Sequence, residues 1–518
     1  LLEFMTNFNT MSSRLILLLS LILFSGCASY SRVIDRYANN AKKTIEIVNG
    51  KGDDAKVTKR ISYYNNGRVQ SELLINNGRP NGKATYYHPN GAIFIKGKHV
   101  NGLRDGKWIW TNTHGTIDST HTFKNGKLDG KTFYYLNGEL IEFRTYLGGD
   151  RHGEFKEFYP SGSEKVMGKY IKNLPDETWT WYNEDKSKSR SVAFSKGVKH
   201  GNFKIWNDGQ LVLTGQFASD QRTGIWKWGR NKKELDSLGT YSAGVLNGAF
   251  KAWHSNEEPS IFGRYTQGKK DGQWKWWAEE GVLDSSKTFV NGQLNGLSES
   301  YYKNEQLKSL IQYQLGKYDG ESILYFPSGE IQSKTTFQMG IKNGPYEIWY
   351  SGDRPEEKGQ YSDDKPHGKI QRWYSNGEPA SMANYTEGKL DSLTQIFTLS
   401  GNIKKEIFYE DGNENARMEY HDNGRLKRVL IFSDNEIQYE RKWNQLGIEE
   451  TDEAYIFGTN IDSEFYLSGF LKYECIYKNG QKHGMEWWLD ENSNPTQINL
   501  YLNGREVVRH EIAYETTE

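Results

Sequence analysis

Cysteine and proline are both scarce in this chain. Its 518 residues include two cysteines, Cys27 and Cys475, and 11 prolines. Two cysteines cannot form a disulfide framework for a chain of this length. Cys475 shares the parity of Leu471, Tyr473 and Tyr477 in a strand-like stretch. We therefore expect Cys475 to be a small buried apolar residue.

An excess of charge of either sign is also lacking. Lys plus Arg and Asp plus Glu both total 66, so the formal net charge is zero. Non-specific nucleic-acid binding depends on a strong positive field, and we predict no nucleic-acid partner. The mean hydropathy is polar at −0.80, yet aromatic residues reach 14% and glycines number 53. Disordered chains are poor in aromatics, so the composition favours many short strands and tight turns.

The apolar run near the amino end is short. It covers residues 15–24 and follows Arg14 and a candidate start at Met11. Such a run is too short for a membrane-spanning helix and suits the apolar region of a signal peptide. We predict a signal peptide over residues 1–26, with Met11 as the expected start.

A candidate lipid anchor follows the predicted signal peptide. The stretch Phe24-Ser25-Gly26-Cys27 resembles the bacterial lipobox, in which a cysteine after small residues is acylated and becomes the mature amino terminus. The resemblance implies lipidation of Cys27 and a tether over residues 27–49. Ala28 after the cysteine implies sorting to the outer membrane, on its periplasmic or surface face. The alternative is an ordinary cleaved signal with an incidental cysteine.

One period dominates the remainder of the chain. A glycine after a short turn containing Asn, Asp or His recurs every 24 residues, with occasional steps of 23, and we call it the anchor. The anchors are Gly82, Gly106, Gly130, Gly153, Glu177, Gly201, Gly224, Gly248, Gly272, Gly296, Gly320, Gly344 and Gly368, and Glu177 is the one non-glycine among them.

Four markers keep phase with the anchor. An aromatic lies five residues after it, except at Thr111 and Gly229, and a turn dipeptide such as Asn90-Gly91 lies eight or nine after. A second aromatic lies about seventeen after, and a second glycine nineteen or twenty after. Asn-Gly between aromatic and β-branched stretches indicates a hairpin whose two turn residues have positive φ. We expect the second glycine and the anchor to bracket the loop that joins one hairpin to the next.

The phase extends back to Thr58 and forward to Gly484. We therefore predict an all-β fold: an elongated single-chain array of about nineteen antiparallel β-hairpin repeats over residues 50–510, followed by a tail over 511–518. A lone hairpin is marginal in water, so stacked neighbours supply the stability. At about 4.8 Å per strand, the contour would be roughly 180 Å.

The assignment of aromatics to faces is open. Aromatics two residues after the anchor, such as Trp108 and Trp179, have opposite parity to those five residues after it. Either a bulge separates the two positions, or aromatics lie on both faces of a thin sheet; we favour the second.

With these markers in place, a family resemblance emerges. The segment NGKLDGKTFYYLNGELIEFRTY, Asn125 to Tyr146, resembles the MORN repeat in the variant bacterial form of YwqK-type antitoxin proteins. The resemblance implies a twisted, solenoid-like sheet of hairpins. It also implies uses in scaffolding, in lipid or protein contact and, for the YwqK type, in neutralising a toxin. The signal peptide and the large repeat number depart from a small cytoplasmic antitoxin.

Several patterns invite a site interpretation that the repeat explains better. His152, His200, His367 and His483 each precede an anchor, but other repeats place Asn or Asp there. Since all three residue types tolerate left-handed backbone, we interpret the position as turn chemistry and predict no metal site. No nucleophile or carboxylate constellation stands outside the repeat register, so we predict no catalytic residue, no cofactor and no enzymatic activity.

The tryptophan-rich stretches are the candidate binding surface. Rows of exposed aromatics can stack on sugars or grip extended peptides, although the alternative that they only cover the thin sheet is favoured. The candidate residues are Trp226, Trp228, Trp274, Trp276, Trp277, Trp349 and Trp373.

Three functions are open. The leading hypothesis is a non-enzymatic lipoprotein scaffold of the bacterial cell envelope that binds a protein partner or an envelope polymer. The second is a YwqK-type antitoxin or immunity protein that neutralises a toxin. The third is an accessory protein that binds glycan or peptidoglycan.

Overall fold

The computed structural model describes residues 29–229, 234–450, 459–492 and 494–511. The predicted signal peptide, Cys27 and residues 512–518 of the predicted tail lie outside these ranges. Within them, regular structure consists of β-strands and a single short 3-10 turn at Gly52–Asp54. No helix of the described part could cross a membrane. The chain divides into two compact units, residues 1–220 and 221–518.

Unit 1 is a meander in which successive strands pair antiparallel, except that β9 and β10 both pair with β8. Its strands are β1 (Ser29–Arg36), β2 (Lys42–Asn49), β3 (Lys56–Tyr63), β4 (Val69–Asn76), β5 (Arg79–Tyr87), β6 (Ile93–Val100), β7 (Leu103–Thr111), β8 (Ile117–Lys124), β9 (Lys127–Leu128), β10 (Gly130–Leu136), β11 (Glu139–Leu147), β12 (Asp150–Phe158), β13 (Glu164–Ile171), β14 (Leu174–Tyr182), β15 (Lys188–Ser195), β16 (Val198–Asn207) and β17 (Gln210–Ala218).

Unit 2 begins with the same meander. These strands are β18 (Gln221–Gly229), β19 (Leu235–Ser242), β20 (Val245–Trp253), β21 (Pro259–Thr266), β22 (Lys269–Lys270), β23 (Gly272–Trp277), β24 (Leu283–Val290), β25 (Gln293–Tyr301), β26 (Leu307–Gln314), β27 (Lys317–Tyr325), β28 (Ile331–Gln338), β29 (Ile341–Tyr350), β30 (Arg354–Ser362), β31 (Lys365–Trp373), β32 (Pro379–Thr386), β33 (Lys389–Leu390), β34 (Ser392–Phe397), β35 (Ile403–Glu410), β36 (Asn413–Tyr420), β37 (Leu426–Ser433) and β38 (Glu436–Lys442).

The last strands of unit 2 form a separate five-stranded antiparallel sheet. They are β39 (Thr459–Phe465), β40 (Leu471–Lys478), β41 (Gln481–Leu489), β42 (Pro495–Leu502) and β43 (Arg505–Glu511). The all-β antiparallel hairpin array predicted from the sequence is confirmed. The sequence period gives no sign, however, that the hydrogen-bonded meander stops at β38 and that a second sheet follows.

Strands also occupy residues 29–49, where the sequence predicts a tether. The side chain of Tyr37 donates a hydrogen bond of 2.7 Å to the carbonyl of Tyr63, a contact that later repeats make over a shorter separation. The 3-10 turn lies between β2 and β3, so this first hairpin is out of phase with the 24-residue period. That irregularity hides it from a search for fixed spacing.

Two kinds of turn alternate along the meander. At His88 the chain makes a three-residue loop: its N–H donates to the carbonyl of Ala92 and its carbonyl accepts from Gly91. Only Gly91, with φ of 91°, has a positive φ there, as in a loop closed by a glycine bulge. The predicted positive φ at both turn residues is therefore wrong for Asn90-Gly91.

The tight two-residue turn lies instead at the second glycine. Asn101 and Gly102 have φ of 52° and 87°, the geometry of a type I′ hairpin turn. The anchor glycine lies inside the strand that follows such a turn. At Gly82 of β5, which has φ of 114°, the pairing of β4 with β5 shifts from Leu73↔Ala84 to Ile75↔Pro80. The anchor glycine thus marks a bulge.

The occasional 23-residue steps follow from the turns. In the steps from Gly130 and from Gly201, two-residue turns at Asn137-Gly138 and Asp208-Gly209, with positive φ at all four residues, replace the three-residue loop. One residue fewer in the loop shortens the repeat by one.

A second bulge resolves the parity of the aromatics. The register shifts between Trp110 and Thr111 and between Trp276 and Trp277, which lie four and five residues after their anchors. A bulge therefore separates the two aromatic positions, as in the first alternative. Their opposite parity alone does not require aromatics on both faces of the sheet.

The largest apolar core lies in the carboxyl-terminal part of unit 2. Side chains of β35–β38 and β40–β43 pack into one buried cluster that includes Met418, Ile431, Ile476, Met485 and Leu500. Cys475 is fully buried as predicted, and burial raises the pKa of its thiol. Two sheets packed face to face bury more apolar area than a single-layer meander does.

Candidate binding surface

The tryptophan two residues after an anchor is a core residue. Trp108 is 0% exposed, and a Cβ on Gly97 of the neighbouring strand would overlap its ring. Its indole N–H donates to the carbonyl of Lys98 at 3.1 Å. Trp274 makes the equivalent hydrogen bond to the carbonyl of Arg264 at 3.0 Å. Each ring therefore lies flat over a glycine and fills the space that a side chain would occupy.

This geometry corrects part of the candidate surface. Trp226 and Trp274 are 0% and 1% exposed, so neither indole is available to a ligand. Trp228, Trp276, Trp277, Trp349 and Trp373 are half-buried and remain candidates.

A cation and further aromatics surround the buried indole at recurring positions. The guanidinium of Arg104, two residues before its anchor, lies 4.8 Å from the ring centre of Trp108, and 5.4 Å from those of Trp110 and Phe123. We call such a group of one cation and three rings a station. Cations over aromatic faces are attracted by the ring quadrupole.

Unit 2 contains two stations. Arg222 lies 4.4 Å from the ring centre of Trp226 and 5.4 Å from that of Tyr241, and Trp228 packs 6.3 Å from Trp226. In the second station, the ammonium of Lys270 lies 4.6 Å, 4.8 Å and 5.2 Å from the ring centres of three aromatics. We call the residues of these two stations the aromatic–cation face: Arg222, Trp226, Trp228, Tyr241, Lys270, Trp274, Trp276 and Phe289.

The station cations carry uncompensated charge. Among the described residues, no carboxylate forms an ion pair with Arg104, Arg222 or Lys270. Burial, and then the neighbouring Lys287, lower the pKa of Lys270. Burial, and then the positive charge of Arg104, lower the pKa of His121 to about 4. Within the described residues, the rings thus hold these cations with no acidic side chain at ion-pair distance.

The histidines before the anchors have another role than the one predicted. Neither His152 nor His483 has a positive φ, so left-handed backbone does not explain the position. The Nδ1 of His483 accepts a hydrogen bond of 3.2 Å from the N–H of Asn503. Asp319 accepts one of 2.9 Å from the N–H of Met339 in the same way. Asn, Asp and His share the position because each offers an acceptor to the next turn.

A row of side-chain hydrogen bonds where the strands end was not predicted from the sequence. In several repeats, a tyrosine or histidine six residues after the anchor donates to the carbonyl of the residue 23 positions later, and we call this row the edge ladder. Its members, with donor–acceptor distances of 2.6 to 2.9 Å in unit 1 and 2.7 to 3.1 Å in unit 2, include Tyr64, His88, Tyr159, His254, Tyr302, Tyr350 and Tyr374. In the sequence, these residues could have been recognised as a Tyr or His directly after the aromatic that lies five residues after the anchor.

The two sheets at the carboxyl-terminal end are joined by buried charges. Glu406 of β35 is fully buried and pairs with His510 of β43. It also accepts hydrogen bonds from Tyr420 at 2.7 Å and, through its other oxygen, from Gln395 at 2.8 Å. Burial alone would raise the pKa of Glu406, but these partners outweigh it and the pKa is lowered.

A cleft of about 630 Å³ lies beside this core. Side chains of both sheets line it, among them Phe408, Asn415, Lys478 and Arg505. In the described ranges, no group of three or more His, Cys, Asp or Glu side chains could hold a metal ion.

Comparisons with known proteins agree with the repeat character. Residues 151–170, 294–315 and 318–339 match the sequence model of the family described as MORN repeat variant. No curated protein matches this chain.

Solved structures match over most of this chain at low identity. A crystal structure of TcdB2-TccC3-Cdc42 matches over 92% of this chain and 30% of the other, with 10% identity and a TM-score of 0.13. A structure of the Photorhabdus luminescens Tc holotoxin pore matches over 90% and 31%, with 10% identity and a TM-score of 0.12. This chain spans about a third of the length of those chains.

The hairpin array and the three matching segments agree with each other. Two of the segments, 294–315 and 318–339, are neighbours in unit 2 and cover paired strands from β25 to β28. The chain therefore carries repeats of the MORN variant type.

Proposed function

We propose that this chain is a non-catalytic repeat scaffold that holds an extended acidic segment of a protein partner on its aromatic–cation face. One observation carries the proposal: the same group of cation and rings recurs at the same repeat positions, and its cations lack carboxylate partners among the described residues. A cation held on aromatic rings and left without a counter-ion favours a ligand that supplies the negative charge.

The spacing of the stations fits an extended chain. Four strand-to-strand steps separate Trp226 on β18 from Trp274 on β23, which is about 19 Å at roughly 4.8 Å per strand. An extended polypeptide covers this distance with about six residues. Half-buried Trp228 and Trp276 would contribute apolar contact beside the cations.

We further propose that the scaffold is anchored through acylated Cys27 at the outer membrane of a bacterial envelope. The lipobox-like stretch before Cys27 supports this placement. Replacing Cys27 by Ser should then abolish incorporation of a clickable palmitate analogue and move the protein from the membrane to the soluble fraction.

The binding proposal can be tested with matched charge reversals. The full chain serves as bait for solubilised envelope, and variant Arg222→Glu/Lys270→Glu is compared with control Lys227→Glu/Lys275→Glu. Lys227 and Lys275 lie between the paired tryptophans of β18 and β23 and therefore point to the opposite face.

We expect one reproducible protein partner for the wild type and for the control, and at least tenfold less of it for Arg222→Glu/Lys270→Glu. If both variants captured equally less of the partner, or if neither captured less, the aromatic–cation face would not be the binding surface. Capture of a toxin would favour the immunity function, and binding of purified peptidoglycan alone would favour the glycan accessory.

A further inference from the structure

The edge ladder is interrupted at Ala278. Before and after it in unit 2, His254 donates to the carbonyl of Trp277 at 2.8 Å and Tyr302 to that of Tyr325 at 2.7 Å. Ala278 lies six residues after its anchor Gly272, the position that His254 and Tyr302 occupy in their repeats. A methyl group cannot reach the next repeat, and in the described part of the chain no side chain donates to the carbonyl of Tyr301.

A pocket occupies the position of the absent ring. Its volume is about 160 Å³, and it is lined by Ala278, Val282, Leu283, Tyr301 and Tyr302 and by the charged residues Glu280, Asp284 and Lys303. These residues come from the turn that carries Ala278 and from the end of strand β25 in the next repeat. A ladder side chain joins the same two places in neighbouring repeats. The pocket therefore coincides with one of the steps at which the ladder has no donor.

The size and chemistry of the pocket define its ligand. A volume of about 150 Å³ is sufficient for a benzene ring. Aliphatic side chains of Val282 and Leu283 face the pocket, and the carbonyl of Tyr301 stands where the neighbouring repeats place the acceptor of a phenol or imidazole. A planar ring with one hydrogen-bond donor at its far end satisfies both features.

We propose that the Ala278 pocket binds a tyrosine side chain of a partner protein, with the ring between Val282 and Leu283 and the hydroxyl donating to the carbonyl of Tyr301. The inserted ring completes the edge ladder in trans. The other ladder positions of unit 2 supply the template, because Tyr302, Tyr350 and Tyr374 place the same group against the same backbone carbonyl within the chain.

The test uses small probes on the full chain. Binding of p-cresol and of N-acetyl-tyrosinamide is measured by ligand-detected NMR and calorimetry, with toluene as the probe that lacks the hydroxyl. We expect both phenols to bind at one site, and toluene to bind about two- to tenfold more weakly because it forms no hydrogen bond. Binding of p-cresol without N-acetyl-tyrosinamide would overturn the assignment to a tyrosine side chain.

Two substitutions that fill the pocket give the decisive control. Ala278→Tyr should restore the ladder, raise the melting temperature and abolish binding of both phenols. Ala278→Phe, the residue that Phe326 already places at the same repeat position, should abolish binding without supplying the hydroxyl. Phenol binding that persists in either folded variant, or that is absent from the wild type, would overturn the proposal.

A complementary variant opens a second pocket. Tyr374 donates to the carbonyl of Phe397 at 2.8 Å, and Tyr374→Ala should create an equivalent vacancy four repeats away. We expect the stoichiometry of p-cresol to rise from one to two per chain. An unchanged stoichiometry in the folded variant would show that a missing ladder ring does not make a phenol site.

Discussion

The mid-strand glycine and the anchor glycine of a repeat are required for different reasons. Gly263 has an ordinary φ, but a Cβ there would overlap the ring of Trp274. Gly248 has φ of 128°, and its Cβ would in addition lie 2.9 Å from that of Thr240. The first position is set by packing against a neighbour, and the second by backbone conformation as well.

Replacing Gly263 by Ala should destabilise unit 2 by about 1–3 kcal/mol, because the methyl group displaces an indole from a packed site. The double variant Gly263→Ala/Trp274→Leu should show a coupling energy that offsets part of the two single costs. Chemical denaturation followed by circular dichroism measures all three. If the costs of the two single substitutions simply added, the ring of Trp274 would not be the reason that position 263 requires glycine.

His121 should make unit 1 sensitive to mild acid. Its pKa is lowered from 6.5 to about 4, first by burial and then by Arg104. The unfolded chain therefore binds the proton more readily, and stability is lost as the pH falls from about 6.5 towards 4. Since the ring is partly exposed, we expect a loss of about 1–2 kcal/mol.

The replacement His121→Gln removes the titrating group and should flatten this part of the pH–stability curve. His114, an exposed histidine of the same region, provides the control through His114→Gln. An unchanged slope between pH 6.5 and 4 in His121→Gln would contradict the assignment.

Among the elements, the carboxyl-terminal sheet differs from the hairpins before it. Its strands reach the preceding strands through side chains, as in the pair of Glu406 with His510 and that of Arg441 with Glu474 at 2.7 Å. A buried pair costs most when one partner is removed, because the other is left uncompensated. The attachment of this sheet therefore depends on few groups.

Acid should loosen the attachment. The folded pKa of Glu406 lies below its usual 4.5, so its contribution is present above the unfolded value and is lost as the pH falls through the folded one. Trp443 and Trp487, 5.9 Å apart between their ring centres, report the separation of the sheets by fluorescence. We expect their emission to shift to the red below about pH 4.

The variant Glu406→Gln should destabilise this part of unit 2 by about 1–3 kcal/mol at pH 7 and weaken its acid transition. Glu486 also has a lowered pKa and should retain part of the transition. The matched control is Glu464→Gln, whose carboxylate is 60% exposed on the five-stranded sheet. Equal effects of the two variants would contradict the role of the buried pair.

The elements differ in how far the sequence predicts them. Glycines and aromatics in fixed phase predict the hairpins, because turns and cross-strand packing are local and repeat. They do not predict the turn types, since Asn90-Gly91 and Asn101-Gly102 look alike as dipeptides and differ in φ. The edge ladder, and the absence of a ladder side chain at Ala278, are recognised only from the contacts between successive repeats.

At the scale of the whole molecule, the sequence predicts the repeat but not the two-sheet core. Each hairpin is specified by its own markers, whereas the core joins residues as distant as Glu406 and His510. The aliphatic run Val429–Ile431 was the available signal, because it places apolar side chains on both faces of its strand. Single-layer repeats need apolar side chains on one face only.

This difference predicts how the molecule unfolds. In the meander, each strand is stabilised by its neighbours, so a local defect should stay local.

Trp108→Ala should cost about 3–5 kcal/mol and remove hydrogen-exchange protection from β5 to β10, while protection of β35–β37 and β40–β43 is unchanged. Leu500→Ala, at a fully buried site, should lower protection throughout those carboxyl-terminal strands. Leu103→Ala, at a residue 50% exposed, is the control and should change neither region. Loss of protection in both regions from Trp108→Ala alone would show that the chain unfolds as one cooperative unit.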